Sequence, residues 1–240
     1  MFLNPALSSA LDRIAERAND VRRAFIPGAL PNNDDVATGR SSSQPTLDPL
    51  SIAAPDEAFF VTKDAKGETA YTRDGSFHLS EGVLVGADER PILGFSTPGS
   101  ALGELRIDPV DAALDRVHEL RIEPDGSLCY DRVALDPRTA RRALQRVTAG
   151  RIALARFPLA TKLESVDGQT FAAPPAVLPH TGVAGKTGFA PLRPMRRERA
   201  GIDLDKSLAR LKAAYVAFDA LAAAETADGH LKKTALDLVK

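Results

Sequence analysis

Between residues 59 and 93 the chain is cut every few residues by turn-forming pairs, and that rhythm is the pattern of an antiparallel meander. The apolar-rich runs are Phe59-Phe60-Val61, Thr69-Ala70-Tyr71-Thr72, Ser76-Phe77-His78-Leu79, Val83-Leu84-Val85 and Pro91-Ile92-Leu93. Between them stand Lys66-Gly67, Asp74-Gly75, Glu81-Gly82 and Asp88-Glu89. Asp74-Gly75 reads as a two-residue type I′ hairpin turn, because aspartate tolerates the left-handed region and glycine enters it without a steric penalty. Phe77 and Leu79 then point inward and His78 outward. Further strands are expected at 119–122, 127–130 and 151–156, with Asp125-Gly126 repeating the turn chemistry.

Both ends change period. Leu7, Leu11, Ile14, Ala18, Val21 and Phe25 are spaced four and three apart, a heptad seam that Pro27-Gly28 stops. Leu204, Leu208, Leu211, Tyr215, Phe218 and Ala222 repeat it, with Asp203 and Asp205 at the helix start. Glu225 and Gly229 fall on this second seam and weaken its last turns. Neither helix buries its stripe alone in water. The two pack on each other, on another subunit, or on both; alternatively, both stripes cover the β core. Two shorter helices are expected after Asp108-Pro109 and Asp136-Pro137, each a cap residue followed by proline at the first helical position. The second, through Ala140, Leu144 and Val147, carries Arg138, Arg141, Arg142 and Arg146, read as a solvated face. The fold class is therefore mainly β, an antiparallel domain flanked by N- and C-terminal coiled-coil-type helices. Its expected parts are an N-terminal helical segment (1–39), a Ser/Pro/Asp-rich linker (40–57), the β domain (58–200) with a loop-rich stretch at 174–194, and a C-terminal helix (201–240).

The chemistry of catalysis is hard to find. The four histidines, His78, His118, His180 and His230, are scattered, and none has metal-ligand spacing. Cys129 stands alone and reads as a buried, inert thiol. The Gly182-Val183-Ala184-Gly185-Lys186-Thr187 run has two residues between its glycines where a phosphate loop needs four, so it reads as a turn. No catalytic, cofactor-binding or metal residue is assigned, and no cofactor is expected. A net charge of −1 argues against a nucleic-acid surface. No apolar run reaches the ~20 residues of a membrane span, and residues 1–20 lack the pattern of a cleaved signal.

A second reading comes from the same residues. Phe59-Phe60-Val61, then Gly67 and Tyr71-Thr72-Arg73-Asp74-Gly75-Ser76-Phe77, resembles the "GFF…G…YTRDGSF" block of bacterial flagellar rod and hook proteins. Glu123-Pro124-Asp125-Gly126-Ser127 is similar to their later strand-turn-strand, and Gly150-Arg151-Ile152-Ala153-Leu154-Ala155-Arg156-Phe157 to their "ARF" run. The Asn-rich motif of the family's first helix survives here only as Ala15, Ala18 and Asn19, and Ala213-Ala214-Tyr215 is what remains of its C-terminal core.

The resemblance implies a divergent rod-type member: a structural subunit of the flagellar basal-body rod that transmits motor torque. The chain's length is the reason for preferring rod over hook. Its implied partners are other rod and hook subunits, copies of itself and the flagellar type III export apparatus, which would carry it to a periplasm-spanning address without a cleaved signal peptide. Assembly would run through the seams: Leu7, Leu11, Ile14 and Val21 with Leu204, Leu208, Leu211, Tyr215 and Phe218. The alternatives are a non-polymerising β-domain adaptor and, more remotely, a cell-wall glycan hydrolase.

Overall fold

The computed structural model describes residues 5–25, 43–55, 57–109, 111, 117–135, 142–158, 161, 163–166, 169–186, 188–200 and 202–238. The chain divides into two compact units. One contains both terminal helices, α1 (Pro5–Arg23) and α2 (Leu204–Leu238). The other, 34–201 with 26–29, holds every strand.

In the β unit the apolar runs become strands where the turn spacing puts them, and residues 142–150 join them. These are β3 (Phe59–Lys63), β4 (Thr69–Thr72), β5 (His78–Ser80), β6 (Val83–Val85), β7 (Leu93–Phe95), β9 (His118–Ile122), β10 (Ser127–Leu135), β11 (Arg142–Ile152) and β12 (Leu154–Arg156). Between and after them come β8 (Gly103–Glu104), β13 (Glu164–Ser165), β14 (Thr170–Ala172) and β15 (His180–Gly182). All the pairings are antiparallel, in a six-stranded sheet ordered β13-β14-β4-β3-β12-β15 and a five-stranded sheet ordered β8-β7-β11-β10-β9.

Side chains alternate across a strand, so a continuous apolar run must bury both faces. β3 and β12 do this. Phe60 and Leu154 enter a cluster with Ile52, Phe77, Leu84, Leu128 and Ile152. Their neighbours Phe59, Val61, Ala153 and Ala155 enter another with Tyr71, Leu93 and Phe171. Cys129 lies buried on β10.

Three expectations are corrected. Asp74-Gly75 does not join two paired strands: β4 pairs with β3 and β14, whereas β5 pairs with β6. The hairpin turn with both central residues at positive φ is Glu81-Gly82 (49° and 78°), linking Ser80 to Val83. At 142–147 the expected helix is instead β11, paired with β10 from Arg142 opposite Leu135 to Arg151 opposite Ser127, with a one-residue register shift at Ala149. Ala140, Leu144 and Val147 keep a helical spacing and residues 142–147 carry no alternation, so the long ladder with β10 alone decides for the strand. Within the segment read as a linker, β1 (Ser43–Pro45) pairs with β17 (Arg196–Glu198) and β2 (Ile52–Ala53) with β16 (Arg193–Pro194), so its described part is tied into the β unit. The helix α2 extends past Glu225 and Gly229 to Leu238. The helix expected at 110–117 falls largely outside the described residues, as do Arg138 and Arg141.

In the helical unit α1 packs against α2. Asp203 caps α2: its Oδ1 accepts the Lys206 N–H at 3.1 Å and its carbonyl the Ser207 N–H at 2.9 Å. The Lys206 N–H and, after it, the Lys206 ammonium hold its carboxyl below the ordinary aspartate range.

Candidate functional site

The Tyr71 to Phe77 motif fastens the β unit together residue by residue. Tyr71 is buried in the second cluster, edge-on to Phe157 with centroids 4.8 Å apart, and burial raises its pKa. The Thr72 hydroxyl donates to the Gln169 carbonyl at 3.0 Å. Asp74 accepts the Ser76 N–H at 3.0 Å, a local Asx turn. Phe77 meets Phe60 edge-to-face at 5.0 Å in the first cluster.

Gly75 is there for close approach. Its carbonyl accepts the Ile52 N–H at 2.9 Å, and a Cβ built on it would overlap the Ile52 carbonyl oxygen. No side chain fits between those two backbones.

Arg73 is the centre of the motif, with its side chain fully buried. Its Nε donates to both Glu198 oxygens, at 2.8 and 3.0 Å, and Nη1 donates to the Ala58 carbonyl at 3.1 Å. The guanidinium lies 5.5 Å from the centre of the Phe59 ring. The Glu198 side chain is equally buried. The sequence gives no hint of this partner: Glu198 sits 125 residues away in the charged run Arg196-Arg197-Glu198-Arg199, which reads locally as solvated surface.

On the terminal helices the structure sorts the seam residues into two sets. Leu7 and Ile14 are buried and Val21 is half-buried; Ala10, which the heptad reading passed over, completes that face. Leu11 stays 41% exposed. On α2 Leu204, Leu211, Ala214, Phe218 and Ala222 are half-buried at helical spacing. Leu208 and Tyr215 remain 46% and 51% exposed, and with Val216 they line a shallow hollow of about 420 Å³ beside Leu211. Leu7, Ala10 and Ile14, three then four apart, form the alternative heptad phase, with Ala10 in place of Leu11.

Among the described residues no group of three or more His, Cys, Asp or Glu is placed to hold a metal ion. His78 is half-exposed and pairs with Glu89 at 2.8 Å. Tyr130 donates to Asp111 at 2.9 Å, and burial, reinforced by that bond, raises its pKa. No described helix is long and apolar enough to cross a membrane.

The described chain thus combines two larger antiparallel sheets, a buried Arg73–Glu198 ion pair and a pair of terminal helices that leave Leu11, Leu208, Tyr215 and Val216 exposed. Residues 56–130 match the family model of the flagellar hook protein FlgE/F/G D1 domain. Over that stretch the chain is similar to a domain of flagellar hook proteins, which supports kinship with the flagellar rod and hook family and a structural role in the flagellum. Comparison with curated proteins finds no match.

Proposed function

We propose that this chain is a rod-type axial subunit of the flagellar basal body, joined to its neighbours through the terminal helices and transmitting motor torque. The observation that carries the proposal is the uncovered stripe of Leu208, Tyr215 and Val216 on α2, with Leu11 exposed on α1, in a chain that bears the D1 domain. Apolar surface of this kind gains roughly 1.5–3 kcal/mol for each large side chain taken out of water, enough in combination to hold a subunit in a helical assembly. Neighbouring helices of other subunits, wound as coiled coils, would cover it. Partners are then rod and hook subunits, further copies of the chain and the type III exporter. The exporter would deliver the chain across the inner membrane.

The packed face, including Leu211 and Phe218, holds α2 to α1, so the test belongs on the exposed positions. Leu208→Asp with Tyr215→Asp should leave the circular dichroism spectrum and the melting transition of the purified chain unchanged. The same variant should be missing from isolated basal bodies and should abolish swimming in the cells that make it. Normal swimming with normal incorporation would reject assembly through this face and leave the adaptor reading.

A further inference from the structure

A cleft of about 620 Å³ opens in the β unit where its two larger sheets end. Thr148 and Gly150 of β11 line one part of it, and Thr181 and Gly182 of β15, the outermost strand of the six-stranded sheet, line another. Phe95 and residues 96–100, where the chain leaves β7, complete the lining together with Arg151 and Lys186.

The backbone around this cleft is unusual. β7 pairs with β11 only at Arg151 and Ile152 and then turns away. From residue 142 to residue 149, β11 therefore has β10 on one side and, among the described residues, no strand on the other. An exposed row of amide and carbonyl groups is a template for another extended backbone. Here the row runs into a cleft placed where β7 would have continued.

Charge narrows the occupant further. The described lining contains two cations and no carboxylate. Arg151 is held by Asp125 at 3.2 Å and by the Ser127 hydroxyl at 3.2 Å, while Lys186 is exposed and makes no ion pair among the described residues. The hydroxyls of Ser100, Thr148 and Thr181 add polar groups between apolar surfaces.

We infer that this cleft binds an extended acidic segment of another protein, added as a strand to the free edge of β11 with a carboxylate on Lys186. The inference stands apart from assembly through the helices, because it concerns the β unit and is read in the monomer.

The test is an amide-resolved NMR titration of the full isotope-labelled chain with an acetylated, amidated octapeptide alternating threonine and glutamate. Saturating shifts confined to residues 143–150 and 181–186 are the expected result. Lys186→Glu should leave the spectrum folded and weaken binding by about tenfold or more. An octapeptide with lysine in place of glutamate, and a glutamate octapeptide interrupted by prolines, should both fail to saturate. Absence of shifts at millimolar peptide, shifts at other surfaces, or unchanged affinity in the Lys186 variant would overturn the inference. Equal competition by free glutamate or by the proline-interrupted peptide would also overturn it, since the site would then recognise an anion without its backbone.

Discussion

Removing Glu198 should be the most damaging single surface-to-core charge change available in this domain. In Glu198→Ala the Arg73 guanidinium loses both carboxylate oxygens and keeps the Ala58 carbonyl among its named acceptors, at a site where its side chain is completely shielded from water. Breaking a buried pair by deleting one partner costs about 3–5 kcal/mol, mostly the penalty of leaving the other charge unpaired. With a urea dependence of about 2 kcal/mol/M for a domain of this size, the midpoint should fall by roughly 1.5–2.5 M with little change in slope. Tyrosine fluorescence reports the transition, since Tyr71 and Tyr130 are both buried in the β unit. Replacing both partners by apolar residues, Arg73→Met with Glu198→Leu, should recover most of the loss, because no uncompensated charge remains. High salt should leave the wild-type contribution almost untouched, as screening ions do not reach a buried pair. A Glu198→Ala midpoint within about 0.3 M of wild type would refute the reasoning.

Two further predictions follow from the same geometry. Gly75→Ala should destabilise the domain by about 2–4 kcal/mol, combining overpacking with loss of the Ile52–Gly75 hydrogen bond, whereas Gly67→Ala, whose Cβ meets open space at φ 83°, should cost only about 1 kcal/mol; equal urea midpoints for the two variants would reject the close-approach account. Asp125 is burdened by burial, yet hydrogen bonds at Ser127 and the Arg151 guanidinium bring its pKa below the ordinary value. A carboxyl depressed in the folded state contributes stability above its unfolded pKa, near 4, and that contribution is lost as pH falls through the folded value. Asp125→Asn should therefore lower stability at pH 7 and flatten the acid limb of the stability–pH curve, and an acid limb parallel to wild type would exclude Asp125 as a source.

What could be read in the chain itself was local. The turn pairs at Lys66-Gly67, Glu81-Gly82 and Asp125-Gly126 mark backbone reversals because their glycines take φ values of 83°, 78° and 81°, a demand that belongs to the residue rather than to its surroundings. Phe59-Phe60-Val61 and Ile152-Ala153-Leu154-Ala155 announce strands buried on both faces, since no solvent-facing polar residue interrupts them. The terminal helices are equally legible in their three-and-four spacing. Local pattern also misled: residues 142–147 have a helical spacing and no alternation, yet the ladder with residues 127–135 makes them a strand. Asp74-Gly75 has hairpin chemistry, but its glycine is required by the backbone of Ile52, which only the assembled sheet brings against it. Tertiary structure alone joined Arg73 to Glu198 and chose which helix positions face inward. Contacts between distant segments depend on how whole faces pack, and no window of neighbouring residues contains that information.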